Sequence, residues 1–379
     1  MKARLLAFLS RDWAGLAASL AFLAVACSAA LATTGAGRAI ASAIAVAALL
    51  LGVGAVMHLV DRARVRRRFP PPGRLVDICG YRLHVLAEGP RDDNPPLVWF
   101  GGSHSSGASM HYLHAALRET RRSILIDRPG TGWSDAGPFP RSTVREAEEI
   151  IAAIEASGER GPFIFVGYSF GGLLALNIAR RRPDLIAQLV LLDPTPLDTI
   201  VYGPRLGVLA QMRRDMLGTA ILRLFGYRGH LAQRRAARNP AHAKAFARAA
   251  EVNGEAYVIN AEVERNSKSE LAAYSIFAEL SPEGVAACGW QTVVYDGDLG
   301  QIPLVLVAPG DAREVVAEPE IAGAAQAESE RMLRFFALSR ERYMAASTNA
   351  RRIETPEQTT HQFVTEAPDF VVTLMRQLL

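Results

Sequence analysis

A serine set between two glycines, Gly167-Tyr168-Ser169-Phe170-Gly171, gives this chain a candidate nucleophile. The five-residue pattern alone is weak, and its setting gives it weight. Phe163 to Val166 is a short apolar run that reads as a buried strand, Leu173 to Arg181 has helical spacing, and Ser169 falls at their junction. A turn this sharp exposes the hydroxyl, and the glycines at 167 and 171 let strand and helix approach closely around a strained serine. The start of the helix also aims backbone N–H groups at the negative charge that develops when a serine attacks a carbonyl. The chemistry expected of such a residue is acyl transfer, with a base activating the hydroxyl. The competing reading makes Ser169 only a helix cap.

The elements that would position this serine are legible as apolar runs. Leu75 to Ile78 and Tyr81 to Leu86 are β-rich and joined by Cys79-Gly80, which predicts a hairpin at the front of the domain. Leu97 to Phe100, Ser123 to Ile126, Phe163 to Val166, Leu189 to Leu192 and Leu304 to Val307 are short and almost wholly apolar. Strands covered on both faces have this character. Helical patterns such as Val144 to Ala156 and Leu173 to Arg181 lie between them, so the expectation is an α/β fold with a mostly parallel sheet and helices on both sides. The alternation breaks between about Thr195 and Gly289, where Arg, Ala and Leu recur at helical spacing. An insertion that leaves and rejoins a sheet belongs over its C-terminal edge, so this region is read as a helical cap. Its arginines Arg213, Arg214, Arg234, Arg235 and Arg238 are read as a solvated face, with contact to the bilayer or substrate as the alternative.

From about Arg74 onward the chain resembles the α/β-hydrolase superfamily. Phe100-Gly101-Gly102-Ser103 follows the third strand, where that family has its oxyanion loop, and Asp127-Arg128-Pro129-Gly130-Thr131-Gly132-Trp133-Ser134-Asp135 is similar to the family's Asp-Arg-x-Gly-x-Gly-x-Ser loop. That loop is largely structural in the family, so Asp127 and Arg128 are given no chemical step. Thr360-His361-Gln362-Phe363, ahead of a terminal amphipathic helix, looks like the base-bearing loop, which makes His361 the base. The resemblance places the triad acid after the strand Leu304 to Val307, at Asp311. A minority of the superfamily carries it one strand earlier, which here is Asp193, and both remain open. The acid would hold the His361 tautomer and stabilise the imidazolium. The oxyanion donors implied are the N–H of Phe170 and one from Gly102 or Ser103, with Ser103 favoured by counting back from Met110. His104 and His111 lie near that loop and are read as surface or packing residues, with substrate contact as the alternative.

The first 70 residues are of another kind. They hold nine Lys and Arg against two Asp, while the rest of the chain has 33 basic and 36 acidic residues. The basic balance is therefore local and makes no case for nucleic acid. No charge lies between Asp12 and Arg38 or between Arg38 and Asp61. Each gap exceeds the roughly 20 residues that cross a hydrocarbon core of about 30 Å. Two spanning helices are expected, near Trp13 to Thr33 and Ile40 to Val60, with a tight turn at Thr33 to Arg38 and small residues that let the backbones approach. Positive charge outside both spans places both ends in the cytoplasm. A cleaved leader ending at Ala30-Leu31-Ala32 is the competing reading. Arg62 to Arg68 signal topology, with anionic headgroups as a secondary partner. Pro70-Pro71-Pro72-Gly73 reads as a stiff linker.

The expected organisation is thus a transmembrane hairpin with its basic flank at residues 1–70, hydrolase core at 71–194, helical cap at 195–290 and the second part of the core at 291–379. Three scattered cysteines (Cys27, Cys79, Cys288) suggest neither a disulfide framework nor a zinc site, and no cofactor or metal is expected. The function expected is carboxylic ester hydrolysis by a Ser-His-Asp triad at the cytoplasmic face of a membrane, on a small-molecule or lipid-like substrate. Serine at the elbow argues against the dehalogenases and epoxide hydrolases of the superfamily, which use a carboxylate there. The alternatives are an acyltransferase, or a tethered binding protein that senses a ligand without turnover.

Overall fold

The computed structural model describes residues 2–102, 105–195, 207–229, 231, 240–279, 284, 286, 295–310, 326–357 and 359–379. The strands are β1 (Arg74–Asp77), β2 (Arg82–Glu88), β3 (Leu97–Phe100), β4 (Ser123–Ile126), β5 (Phe163–Tyr168), β6 (Ile186–Leu192), β7 (Leu304–Ala308) and β8 (Ala350–Glu354). They form one sheet in the order β1-β2-β4-β3-β5-β6-β7-β8. The β1–β2 and β2–β4 pairs are antiparallel and all the others parallel. The front hairpin turns on Cys79 and Gly80, both at positive φ, with the Asp77 carboxylate accepting the Gly80 N–H at 3.0 Å.

Helices cover both faces because side chains alternate along each central strand. On one face Phe163 and Phe165 of β5 pack with Ile150 and Ile154 of α5 (Thr143–Ser157) and Leu173 of α6 (Phe170–Arg181). On the other, Ile164 and Val166 meet Leu113 and Leu117 of α4 (His111–Leu117) and Val371 and Leu374 of α12 (Pro368–Leu378). Each fully buried Leu, Ile or Phe contributes about 2 kcal/mol by leaving water, so the two layers hold the central strands rigidly. α5 begins where the Ser142 hydroxyl accepts the Arg145 N–H and ends at Gly158 in the left-handed region. The strand β8 has no counterpart among the apolar runs of the sequence. It is an edge strand, Ala-Arg-Arg-Ile-Glu, whose charged residues blunt an open sheet margin.

The insertion is helical where it is described: α7 (Gly207–Arg223), α8 (Pro240–Val263, broken at Gly254) and α9 (Ser267–Ile276). Its junction with the core is polar. Glu264 accepts the Gly132 N–H at 2.8 Å, Ser269 donates to the Gly130 carbonyl at 2.8 Å, and the Lys268 ammonium donates to the carbonyls of Gly132 and Ser134. The end of α8 and the start of α9 therefore grip the Asp127–Asp135 loop. Arg213, expected in solvent, instead lies over the Tyr274 ring at 4.8 Å, while Arg214 is exposed as expected. Arg234, Arg235 and Arg238 lie outside the described residues.

The N-terminal segment folds as a short α1 (Lys2–Leu9), then α2 (Ala14–Ala32) and α3 (Gly35–Arg68). The turn is tighter than expected, because α3 already starts at Gly35. The buried side of α3 carries Ala41, Ala48, Ala55 and Arg62, seven residues apart, and that of α2 carries Ser19 and Ala26. A seven-residue period keeps one narrow seam between two helices, and small residues let them close on it. The large side chains point away, with Phe22, Val25, Leu50 and Met57 each about two-thirds exposed. α1 is not anticipated by the sequence reading; it packs Leu6 against Phe139, Ala220 and Leu271 at the cap. α3 continues past its apolar stretch to Phe69, whose carbonyl accepts the Trp133 indole N–H at 3.0 Å.

Removal from water raises the Glu264 carboxyl from 4.5 to about 7, against the opposing pull of the Gly132 N–H. A carboxyl whose folded value lies above its unfolded one stabilises the fold fully below the unfolded value and loses that contribution as pH rises through the folded one. Through this group stability is expected to fall between about pH 4.5 and 7. Glu264→Gln, which keeps the acceptor, should flatten that slope and raise stability at pH 8 by about 1–3 kcal/mol in urea unfolding. An unchanged slope would contradict this account.

Candidate active site

Ser169 links β5 to α6 at φ 52° and ψ −119°. A non-glycine residue is held there at a cost of order 1–3 kcal/mol when its surroundings over-determine it. Its N–H donates to the Leu192 carbonyl at 3.0 Å, and its own carbonyl accepts from Gly172 and Thr195, both at 3.0 Å. The flanking glycines are required by space. A Cβ at Gly167 would overlap the Gly171 carbonyl, and one at Gly171 would overlap the carbonyls of Phe100 and Gly101. Strand, turn and helix are thus pressed together at backbone contact, and the hydroxyl is left at the C-terminal end of the parallel strands.

His361 lies in the loop between β8 and α11 (Phe363–Glu366). Its Nε2 is 3.0 Å from Ser169 Oγ and its Nδ1 is 2.7 Å from Asp193 Oδ2. The ionised carboxylate can only accept, so Nδ1 carries the proton and Nε2 is free to accept from the serine hydroxyl. The Tyr168 ring stacks on the imidazole at 5.1 Å, and its hydroxyl donates to the His361 carbonyl at 2.9 Å. On the loop itself, the Glu366 carboxylate accepts from the N–H and hydroxyl of Thr360. The His361 imidazole, the candidate base, is therefore fixed in ring plane and in height.

Asp193, directly after β6, supplies the carboxylate, so the structure brings together Ser169, His361 and Asp193. Asp311, the first expectation for the acid, lies outside the described residues. Asp193 is itself at positive φ (44°), and its N–H donates to the Val307 carbonyl at 2.7 Å. Its second oxygen, Oδ1, accepts from Arg340 Nη2 at 2.8 Å and Nε at 3.3 Å. Arg340, on α10 (Gln326–Ala345), is buried, as is Asp193. Burial alone would raise the Asp193 carboxyl, but the His361 hydrogen bond and the Arg340 charge together hold it below the usual carboxylate range. Nothing in the sequence near 340 marks this arginine, because the contact is made only by the fold.

The candidate oxyanion side lies partly within the described residues. The Phe170 N–H stands at the head of α6, and Gly102 packs on Ser169, since a Cβ there would fall 3.2 Å from that of Ser169. Ser103 and His104 lie outside the described residues. Arg128 Nη2 reaches the carbonyls of Gly102 and Ser105, each at 3.4 Å, and its guanidinium lies over the Phe170 ring at 5.2 Å. Asp127 accepts the Gly107 and Trp133 N–H groups at 3.0 Å and faces His84 Nδ1 at 2.9 Å. These two residues, given no chemical step, hold the loop that faces the serine. His111 is half-buried at the start of α4, and burial followed by the Arg118 charge pushes its imidazole down. Among the described residues no group of three His, Cys, Asp or Glu is arranged to hold a metal ion.

Residues 95–259 match the family model described as the alpha/beta hydrolase fold. With its eight-stranded sheet and the serine turn at the strand ends, the chain is an α/β-hydrolase-fold protein. Its curated relatives include the uncharacterized protein YbdG of Bacillus subtilis, 23% identical over 153 residues, or 40% of this chain and 47% of that protein. A 2-(acetamidomethylene)succinate hydrolase of Mesorhizobium japonicum is 31% identical over 123 residues, 32% of this chain and 43% of that protein. The chain spans less than half the length of these relatives. Among solved structures, one described as a probable hydrolytic enzyme from Pseudomonas aeruginosa superimposes with a TM-score of 0.58 at 20% identity, covering 82% of this chain and 95% of that one. That likeness is one of fold.

Removing Arg340 leaves the Asp193 charge buried with one partner fewer, which costs about 3–5 kcal/mol for a buried pair. Arg340→Met is expected to lose stability of that order at neutral pH in urea unfolding. A carboxyl held low stabilises the fold above its unfolded value of 3.8 and loses that contribution as pH falls through the folded value. The variant should therefore unfold in acid at a higher pH than the wild type. A variant as stable as wild type at both pH values would show the pair to be idle.

Proposed function

We propose that the chain is a membrane-anchored serine hydrolase that cleaves carboxylic esters through an acyl-enzyme. The observation that supports this reading is the continuous hydrogen-bond chain from Ser169 through His361 to Asp193. In the first step His361 Nε2 takes the Ser169 proton as Oγ bonds to the substrate carbonyl carbon. The carbonyl oxygen becomes an oxyanion facing the Phe170 N–H, a donor fixed at the head of α6 before the charge appears, with the second donor taken from the family resemblance as an N–H of Gly102 or Ser103. His361, now an imidazolium against Asp193, gives its proton to the departing alcohol, and the ester bond breaks. Water then repeats the sequence on the acyl-enzyme and releases the acid. Asp193 keeps the imidazole in the productive tautomer throughout. Arg340 acts through Asp193, as a positioning residue.

Anchoring rests on α2 and α3, which are long and apolar enough to cross a membrane and keep about a fifth of each apolar stretch buried. A soluble core helix of this length would be mostly covered by protein. Both ends of the hairpin, and with them the hydrolase domain, are assigned to the cytoplasmic side by the basic residues that flank it.

A fluorophosphonate probe should label the wild-type chain covalently and leave Ser169→Ala unlabelled. Well-folded wild type that resists the probe would favour a ligand-sensing protein over an enzyme. With a soluble activated ester, Asp193→Asn is expected to lose about a thousandfold or more in kcat, since the wrong histidine tautomer is then stabilised. Asp311→Asn should change kcat little. The reverse ranking would return the acid to Asp311.

A further inference from the structure

The last turn of α7 carries Ile221 and Leu222, both about two-fifths exposed, and the chain then turns through Leu224-Phe225-Gly226. This tip is seated on the hairpin. A Cβ at Gly15 of α2 would overlap the Leu224 carbonyl, and one at Gly54 of α3 would overlap the Phe225 carbonyl. Gly54 lies seven residues before Asp61 on α3, about 10 Å further along the helix at 1.5 Å per residue. Gly15 lies beyond Asp12, within the charge-free stretch of α2.

The charges around the hairpin mark a level, and the tip lies on the far side of it from the hydrolase domain. Asp12 pairs with Arg66 and has His58 at 3.6 Å. Arg62 donates to the carbonyls of Glu262, Val263 and Arg265 at the end of α8. Directly after the tip, Arg228 returns to this level and pairs with Asp61 at 2.5 Å. The segment therefore descends past the ring of charge, turns against two glycines, and climbs back to it. Beside it on α3, Val53, Val56, Met57 and Val60 are exposed, so the apolar surface of the tip continues that of the hairpin.

We propose that the apolar tip of the cap, the Ile221 and Leu222 side chains and the turn Leu224 to Gly226, is inserted into the acyl-chain region of the same bilayer leaflet that holds the hairpin. The Arg223 guanidinium turns back to the level of charge, where it pairs with Glu270 at 2.9 Å and donates to the Glu264 and Asn266 carbonyls. Ile221 and Leu222 then contact lipid chains, and the cap is moored to the membrane at a second place besides the spans. The proposal rests on the reading of α2 and α3 as membrane-spanning.

The test uses the full chain with Cys27, Cys79 and Cys288 each replaced by serine, and one new cysteine carrying an environment-sensitive fluorophore. The three positions are Leu222→Cys at the tip, Leu50→Cys on the span and Asp93→Cys on an exposed loop of the core. Each protein is reconstituted into vesicles of phosphatidylcholine and phosphatidylglycerol, with and without lipids bearing a nitroxide on the acyl chain. The label at 222 is expected to emit several-fold more brightly and further to the blue than the label at 93, and to be quenched by the nitroxide lipids. Emission at 222 like that at 93, with the label at 50 still quenched, would overturn the insertion and leave the anchoring intact. A bright label at 222 that nitroxide lipids do not quench would also overturn it, since protein and not lipid would then cover the tip. A label at 50 in water would overturn both, and the hydrolase reading would still stand on its own probe.

Discussion

The contact on which this fold depends is the one between backbones at the β5–α6 turn. The Gly171 backbone lies against the carbonyls of Phe100 and Gly101, and Gly167 lies against Gly171. That approach is available only with no side chain on either residue. It holds Ser169 in a conformation its own φ/ψ preferences oppose, so the surrounding sheet has to supply the restraint. Leu192, Gly172 and Thr195 hydrogen-bond the serine backbone, and β3, β5 and β6 are buried on both faces. The placing of the Ser169 hydroxyl at the strand ends is in this sense a product of packing density: a looser sheet would let the turn relax and withdraw it.

Around this turn the chain buries more charge than a small apolar core would tolerate unpaired. Asp193 lies between His361 and Arg340, Asp127 faces His84, and Arg141 pairs with the carboxylate of Glu149 beside Glu146. Such pairs recover through hydrogen bonds only part of what removal from water costs. Their common feature is position. The first two tie a loop at the strand ends to an element distant in the chain and the third ties the Arg141 loop to the helix α5 that follows it, so they fix geometry where apolar contacts alone would allow sliding.

Much of this was legible in the sequence, and the limits have physical causes. Five central strands are apolar because both faces are covered, and the hairpin of β1 and β2 shows itself by β-rich runs around Cys79-Gly80. Ser169 is legible because its strand, its turn and its helix are contiguous. The acid is not, since Asp193 and Asp311 both follow strands and only the fold decides which carboxylate meets His361. β8 escapes the pattern because an edge strand needs no apolar face, and Arg340 because its partner is 147 residues away. Helix α1 is too short for its period to stand out before the packing of Leu6 on the cap is known.

Helix α3 is one unbroken rod of 34 residues. At 1.5 Å per residue it is about 50 Å long, against roughly 30 Å of hydrocarbon. Its far end is held by Trp133, and Arg62 partway along it is bonded to the cap. Such a rod behaves as a lever. On the proposed anchoring, tilting of α3 to match a thinner or thicker bilayer would turn the same helix to which the cap and the Asp127–Asp135 loop are fastened. Bilayer thickness and the tilt of the cap and of the Asp127–Asp135 loop would, on that anchoring, be mechanically one variable.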